Sequence, residues 1–302
     1  MKSKPAPSLA LFLGFLVPGG GHFYAGRNGA GLAWFAVVTV LTFVGWPLVG
    51  PGFFAQNHLD FAIVGVHVSI PTAIPEIVNF LETMAAQVWL GKGIPDMPLM
   101  PTAAIGFSLT ATAGVLNALA MADAHWICLE AQAAELEPKA GARRAKAPAI
   151  AAMFAFLIPG GGHLWLGRRG KGLLAGGALV LTLLLGELFA HGTVLQRERD
   201  QYFWSGEILL GLPAIAGGLV NAGRRIHSDI PLGELGLLCT TVAGLLNILL
   251  MIDAYTTAER DLRAAGSSTA ASSAAASSAA ASSAASTSTG ANEPASQTQL
   301  SA

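Results

Sequence analysis

Apolar and polar positions divide each half of the chain into four apolar segments, set at matching places. The first is short: 8–17 and 149–158 hold ten residues each before a proline and three glycines. Ten helical residues reach about 15 Å, half of a bilayer's hydrocarbon core. Proline followed by glycine disfavours continuation, and non-helical backbone at that depth survives only against protein or a wet cavity. The pattern therefore predicts a broken or re-entrant helix turning at the glycines. The second segment, 30–50 or 172–190, is long enough to span. The third, 61–81 or 206–222, is interrupted; Pro71 to Asn79 lines up with Pro213 to Asn221 through a shared proline and a shared Val-Asn. The fourth, 103–124 or 233–255, is the clearest span in each half.

Two matches tie the halves together. Residues 18–32 and 159–173 agree at ten of fifteen positions, from Pro-Gly-Gly-Gly-His to Gly-Arg and Gly-x-Gly-Leu. Residues 106–124 and 236–254 agree at ten of nineteen. On a helix, the matched Gly114, Asn117 and Met121, and likewise Gly244, Asn247 and Met251, fall on a stripe roughly 100° wide. Small residues with one amide are how helices pack in lipid. The expectation is a helix-packing seam, the two stripes packing against each other or on equivalent partners, with the two amides hydrogen-bonded across a seam that joins the repeats.

The fold class read from this is an all-α integral membrane protein of two tandem parallel repeats, each with two full spans and two broken or re-entrant segments. Residues 1–124 form repeat one, 125–147 a polar connector, 148–256 repeat two, and 257–302 a disordered Ser/Ala-rich tail. Composition supports this: 53% of residues are apolar and 12% charged, against about 25% charged in soluble domains. The lysine-flanked start imitates a signal peptide, but the same pattern at 148–167 argues that residues 1–26 belong to the mature protein. Most of the 17 Lys and Arg residues lie at Lys2/Lys4, Arg27, the connector, Arg168/Arg169/Lys171 and Arg260/Arg263. The positive-inside rule puts these, and both termini, in the cytoplasm, with Cys128 just past a span as a probe of that side. Scattered basic residues and a net charge of −1 exclude a nucleic-acid surface, and the two cysteines suggest neither a disulfide framework nor a zinc site.

Gly-Gly-His-Phe-Tyr-Ala-Gly-Arg at 20–27 and Gly-Gly-His-Leu-Trp-Leu-Gly-Arg at 161–168 resemble the signature turn of the two-transmembrane-span domain family. Asn117 to Asp123 and Asn247 to Asp253 look like that family's second helix, which ends in an aspartate. The arginine that follows the histidine in that family is absent here. The layout is closer to bacterial multi-pass membrane proteins of unknown function with a Pro-Gly-x-Gly-His-Phe-Tyr-x-Gly-Arg turn. The resemblance implies a bacterial inner membrane and no established reaction.

Candidate functional residues are His22, His163, Asp123, Asp253, Arg27 and Arg168. An imidazole near a membrane surface can relay protons or bind a metal, or simply satisfy a free carbonyl beside an aromatic anchor. Two histidines and two aspartates could form one four-ligand site, although a structural role suits the aspartates as well. Arg27 and Arg168 beside Tyr24 and Trp165 suit lipid head groups. Glu187 and Glu207, read as unique to the second half, are either interfacial or point to a transport path. No catalytic grouping, cofactor or metal motif is present. The reading is a structural or interaction role in the bilayer, with a membrane-protein partner or a second copy; the alternatives are a small transporter or channel between the repeats and, more weakly, an intramembrane enzyme.

Overall fold

A computed structural model of the chain describes residues 5–50, 58–63, 66–71, 74–90, 100–136, 147–197, 201–222 and 230–289. Each half opens on a ten-residue helix, α1 (Pro7–Leu16) and, further on, α6 (Pro148–Leu157). Proline in the first turn costs nothing, because its missing N–H is one a helix leaves unpaired. Val17 and Ile158 leave these helices in extended conformation ahead of Pro18 and Pro159, the bias proline imposes on its predecessor. Gly19 and Gly160 then take φ of +74° and +79°. A Cβ at either would lie 2.2 or 2.1 Å from the carbonyl oxygen of Gly31 or Gly172, so only glycine closes this turn. One-turn helices follow, α2 (Gly20–Tyr24) and α7 (Gly161–Trp165), and then the long helices α3 (Asn28–Val49) and α8 (Arg169–Phe189).

The third segments differ between halves. In the first, an antiparallel hairpin pairs β1 (His58–Ile63) with β2 (Val66–Pro71), His58 opposite Pro71. A 3₁₀ turn (Glu76–Asn79) and α4 (Phe80–Leu90) follow. In the second, α9 (Gln201–Glu207), a 3₁₀ turn (Ile208–Leu210) and α10 (Leu212–Asn221) occupy the interval. One short hairpin apart, the regular structure among the described residues is helical, in keeping with the all-α class. Neither third segment is a continuous spanning helix.

The fourth segments are α5 (Ala103–Leu136) and α11 (Gly233–Thr289). Both outrun their expected limits. The connector begins as helix and keeps that form to Leu136, while 137–146 lie outside the described residues. The tail, expected to lack structure from 257, is helical to Thr289; alanine is the best helix former, and its density there outweighs the serine pairs. Residues 290–302 lie outside the described set.

Among the described residues four helices are long and apolar enough to cross a membrane: Asn28–Val49, Ala103–Gln132, Arg169–Phe189 and Gly233–Ala264. Leu32, Val40, Leu174, Leu184 and Leu249 all project outward from them. Apolar surface of that extent belongs against hydrocarbon. The protein is a membrane protein. Within each half the fourth helix is the hub, α5 packing on α1 and α3, and α11 on α6 and α8. The halves meet where Ala113, Leu116 and Leu119 pack on Ala152, with Met251 and Tyr255 alongside, and where Trp46, Val49 and Phe107 meet Trp204 and Ile208. Cys128 is not the accessible probe its sequence position promised. It is fully buried against Ala10 and Ala124.

Candidate functional site

The glycine turn delivers a histidine to an aspartate in both halves. His22, on α2, is fully buried, and its Nε2 lies 3.0 Å from Asp123 Oδ2 on α5. His163, on α7 and equally buried, has Nε2 at 2.8 Å from Asp253 Oδ2 on α11, as an ionic contact. Lys171 Nζ also contacts that carboxylate; Ala30 stands at the corresponding place in the first half. Burial pushes the His163 imidazole below its ordinary range; Asp253 opposes the shift, and the neighbouring Lys171 and Arg168 add to it. Nδ1 of both histidines and Nε2 of His163 are buried with no hydrogen-bond partner among the described residues, whereas His22 Nε2 is hydrogen-bonded to Asp123.

These four residues form two separate pairs, which overturns the single four-ligand site. Among the described residues no three His, Cys, Asp or Glu side chains converge as a metal site would require. Arg27 and Arg168 take the N-cap positions of α3 and α8. Their backbone N–H groups donate to the carbonyls of His22 and His163, both at 2.8 Å, while their side chains are exposed. Arg168 pairs with Asp261 at 3.1 Å. Tyr24 is used structurally, its hydroxyl accepting from the Ala6 N–H at 2.9 Å, and Trp165 packs on Phe154 with ring centroids 5.7 Å apart.

The stripes do not face one another. Asn117 Nδ2 donates to the carbonyls of Gly14 at 3.2 Å and Val78 at 2.9 Å. Asn247 Nδ2 donates to those of Ala155 at 3.2 Å and Leu209 at 2.9 Å. Each amide thus joins the end of its own half's short helix to its own half's 3₁₀ turn. Gly114 and Gly244 serve the same contact. A Cβ there would lie 2.3 Å from Pro75 O and 2.0 Å from Gly206 O. Met121 lies over Gly14, and Met251 packs among Ala151, Ala155 and Ala254. The stripe receives the broken segments. A seam between repeats, with paired amides, is not what forms.

A second polar centre was not found from the sequence. Thr110 Oγ1 donates to Glu76 Oε1 at 3.0 Å, and Thr240 Oγ1 donates to Glu207 Oε1. With the glycine and asparagine contacts above, this makes Glu207 the spatial counterpart of Glu76. The alignment of Pro71 with Pro213, which set Glu76 opposite Gly218, is superseded. The detectable signal was a glutamate about one segment ahead of each matched threonine. Glu187 instead accepts from Asn221 Nδ2 at 2.8 Å, joining α8 to α10. Glu76 also accepts from Arg197 Nη1 at 2.6 Å, an ion pair between the halves with side chains only 1% and 4% exposed. The Arg197 guanidinium lies 4.5 Å from the Phe107 ring centroid and 4.7 Å from that of Trp204. It lines a cavity of about 310 Å³ between the halves, with Phe107, Ser108, Gln196, Trp204 and Ile208 among the walls.

The model of a family of unknown function, DUF6677, matches residues 9–136 and 150–264. No curated protein and no solved structure matches the chain.

Proposed function

This chain belongs to the DUF6677 family, and we infer that it is a membrane-embedded scaffold of two tandem parallel repeats, with a structural or interaction role in the bilayer. Each repeat crosses twice and carries two broken segments, the first entering and returning on one side. The positions of its ends support this. Gln132 Nε2 donates to the Pro5 carbonyl at 3.1 Å and the Ala6 N–H to the Tyr24 hydroxyl at 2.9 Å. Both ends of the α1–α2 excursion therefore lie on the C-terminal side of α5's centre, while Gly14 reaches Asn117. Asn117 stands at the middle of the Ala103–Gln132 span, so the excursion reaches about the bilayer midplane. Two crossings per repeat keep the termini and the connector on one face, and the distribution of Lys and Arg makes that face cytoplasmic. The resemblance to bacterial multi-pass proteins puts this in the inner membrane.

One observation carries the scaffold reading. The polar residues that recur in both halves are used on broken segments, with the same two Asn bonds at the same 3.2 and 2.9 Å. Backbone groups in hydrocarbon must be satisfied internally, and these side chains do so while fixing irregular backbone at depth. What is left for function is the outer surface, which contacts lipid and a membrane-protein partner or a second copy. The test is reconstitution of the full chain. Membrane cross-linking should yield one defined product, and liposomes holding the protein should retain ions and small solutes as tightly as empty ones.

A second reading, a small transporter or channel with its path between the repeats, is favoured by the interface cavity at Arg197. Interrupted segments at corresponding places in two halves are where secondary transporters put their sites. Flux above the leak of empty liposomes would select this reading over the scaffold.

A further inference from the structure

Thr39 stands at the middle of the spanning helix Asn28–Val49, and its hydroxyl contacts Glu82 Oε1 on α4. Glu82 is 8% exposed, while Leu81 and Val88 on the same helix face outward at 43% and 82%. The outer face of α4 therefore belongs against lipid, and the Glu82 carboxyl lies at about the depth of the bilayer midplane. We propose that Glu82 is a proton-binding site in the membrane core, its carboxyl carrying a proton at neutral pH on the oxygen that meets Thr39. The inference rests on neither the scaffold nor the transporter reading, because a proton held at this depth belongs to the site alone.

The surroundings supply no other counter-charge. α4 packs on α3, α1, the 3₁₀ turn and β2. Neither α3 nor α1 contains an ionisable side chain, and Glu82 is the only one on α4. The 3₁₀ turn brings Glu76, a like charge paired with Arg197, and β2 brings His67. Glu82 takes part in no ion pair among the described residues. A carboxylate there would face only hydroxyls in a hydrocarbon setting, where a neutral acid is far less costly. Its Oε2 is buried with no hydrogen-bond partner among the described residues. Thr42, one turn along the same face of α3, donates its single hydrogen to the Val38 carbonyl at 2.9 Å and accepts from Asn79 Nδ2 at 3.4 Å. With a proton on Oε1 the acid donates to Thr39 Oγ1, and Oε2 becomes a carbonyl oxygen, which tolerates isolation better than half of a carboxylate. Thr39 and Glu82 already touch, which suits a proton and leaves no room between them for a metal ion's shell of oxygens. The repeat fold does not require the pair. Val180 and Pro213 stand at the corresponding places in the second half, counted from His163 and Glu207.

The test is infrared spectroscopy of the full-length protein in liposomes, where the C=O stretch of a protonated carboxyl separates from the stretches of a carboxylate. The spectrum of wild type minus that of Glu82→Gln should show a protonated-acid band at neutral pH. Thr39→Val should keep that band and move it to higher frequency, because the acid loses its hydrogen-bond acceptor. Glu82→Gln, neutral and nearly the same shape, should melt as wild type does. Carboxylate stretches in place of the acid band, a band unmoved by Thr39→Val, or a large loss of melting temperature in Glu82→Gln would overturn the proposal. Loss of the acid band on adding Na⁺ at constant pH would overturn it as well, by making a metal ion the ligand.

Discussion

Asn117 Nδ2 lies 2.9 Å from the carbonyl oxygen of Val78, thirty-nine residues earlier in the chain. The same nitrogen holds the Gly14 carbonyl, so one side chain at the centre of a long helix anchors two pieces of chain that stop part-way. Asn247 does the same for Ala155 and Leu209. Amide bonds inside membranes contribute only about 0.6 kcal/mol on average, so close packing at the neighbouring glycines must supply more. Asn117→Leu and Asn247→Leu should each lower stability by roughly 1 kcal/mol. Gly114→Leu and Gly244→Leu should cost at least the upper end of the roughly 1–3 kcal/mol of overpacking, because the added carbon meets backbone oxygen at 2.3 and 2.0 Å. Thermal melting in detergent checks the order, which should be the same in both halves.

The Glu76–Arg197 pair gives a second prediction. Both partners are almost fully buried, so removing either alone strands a charge, at a cost of about 3–5 kcal/mol. Glu76→Met together with Arg197→Met should cost clearly less than the two single changes combined. A double-mutant cycle on melting data measures the coupling; simple additivity would mean that the two charges are independently solvated.

His163 sets a pH dependence. Its imidazole is held below the ordinary value of 6.5 in the folded protein, chiefly by burial. Below that value the unfolded chain takes up a proton that the folded protein resists. Stability from this group is therefore complete above about pH 6.5 and declines as pH falls, until the folded pKa is passed. Melting temperature followed from about pH 8 to about pH 5 should drop more steeply in wild type than in His163→Gln. Parallel curves would show that the histidine does not contribute.

The tail should be dispensable for folding. Among the α11 side chains whose burial is described, which end at residue 264, the last well buried are Thr257 and Ala258, and Arg263, over the Trp126 ring at 5.7 Å, still ties the helix to the first half. Truncation after Arg263 is expected to leave membrane insertion and melting temperature unchanged. A large loss would mean that 264–302 docks on the membrane domain.

Much of this architecture is written in the local pattern. The short first segments were expected at 8–17 and 149–158 and form at Pro7–Leu16 and Pro148–Leu157, because proline and glycine stop a helix whatever surrounds it. The spans beginning near residues 30 and 172 start within three residues of those positions. The stripe on the fourth helices shows which face packs, but periodicity cannot say what packs on it, and the partner proved to be each half's own broken backbone. Glu76 with Arg197 was not legible, since the two lie far apart in sequence and in different halves. The third segments were misaligned because a shared proline is a weaker marker than the Thr110 and Thr240 hydroxyls that receive each glutamate.

The central claim is that α1 and α2 enter the membrane and return on the same side, and it is tested most directly by cysteine sidedness in a Cys128→Ser/Cys239→Ser background. Ser8 and Arg27 flank the excursion and are exposed, and Tyr202 is exposed between the spans of the second half. With a membrane-impermeant thiol reagent, Ser8→Cys and Arg27→Cys should both label only after the cells are opened, and Tyr202→Cys should label in intact cells. If Ser8→Cys and Arg27→Cys label from opposite sides, the first segment crosses the membrane and the re-entrant account is wrong.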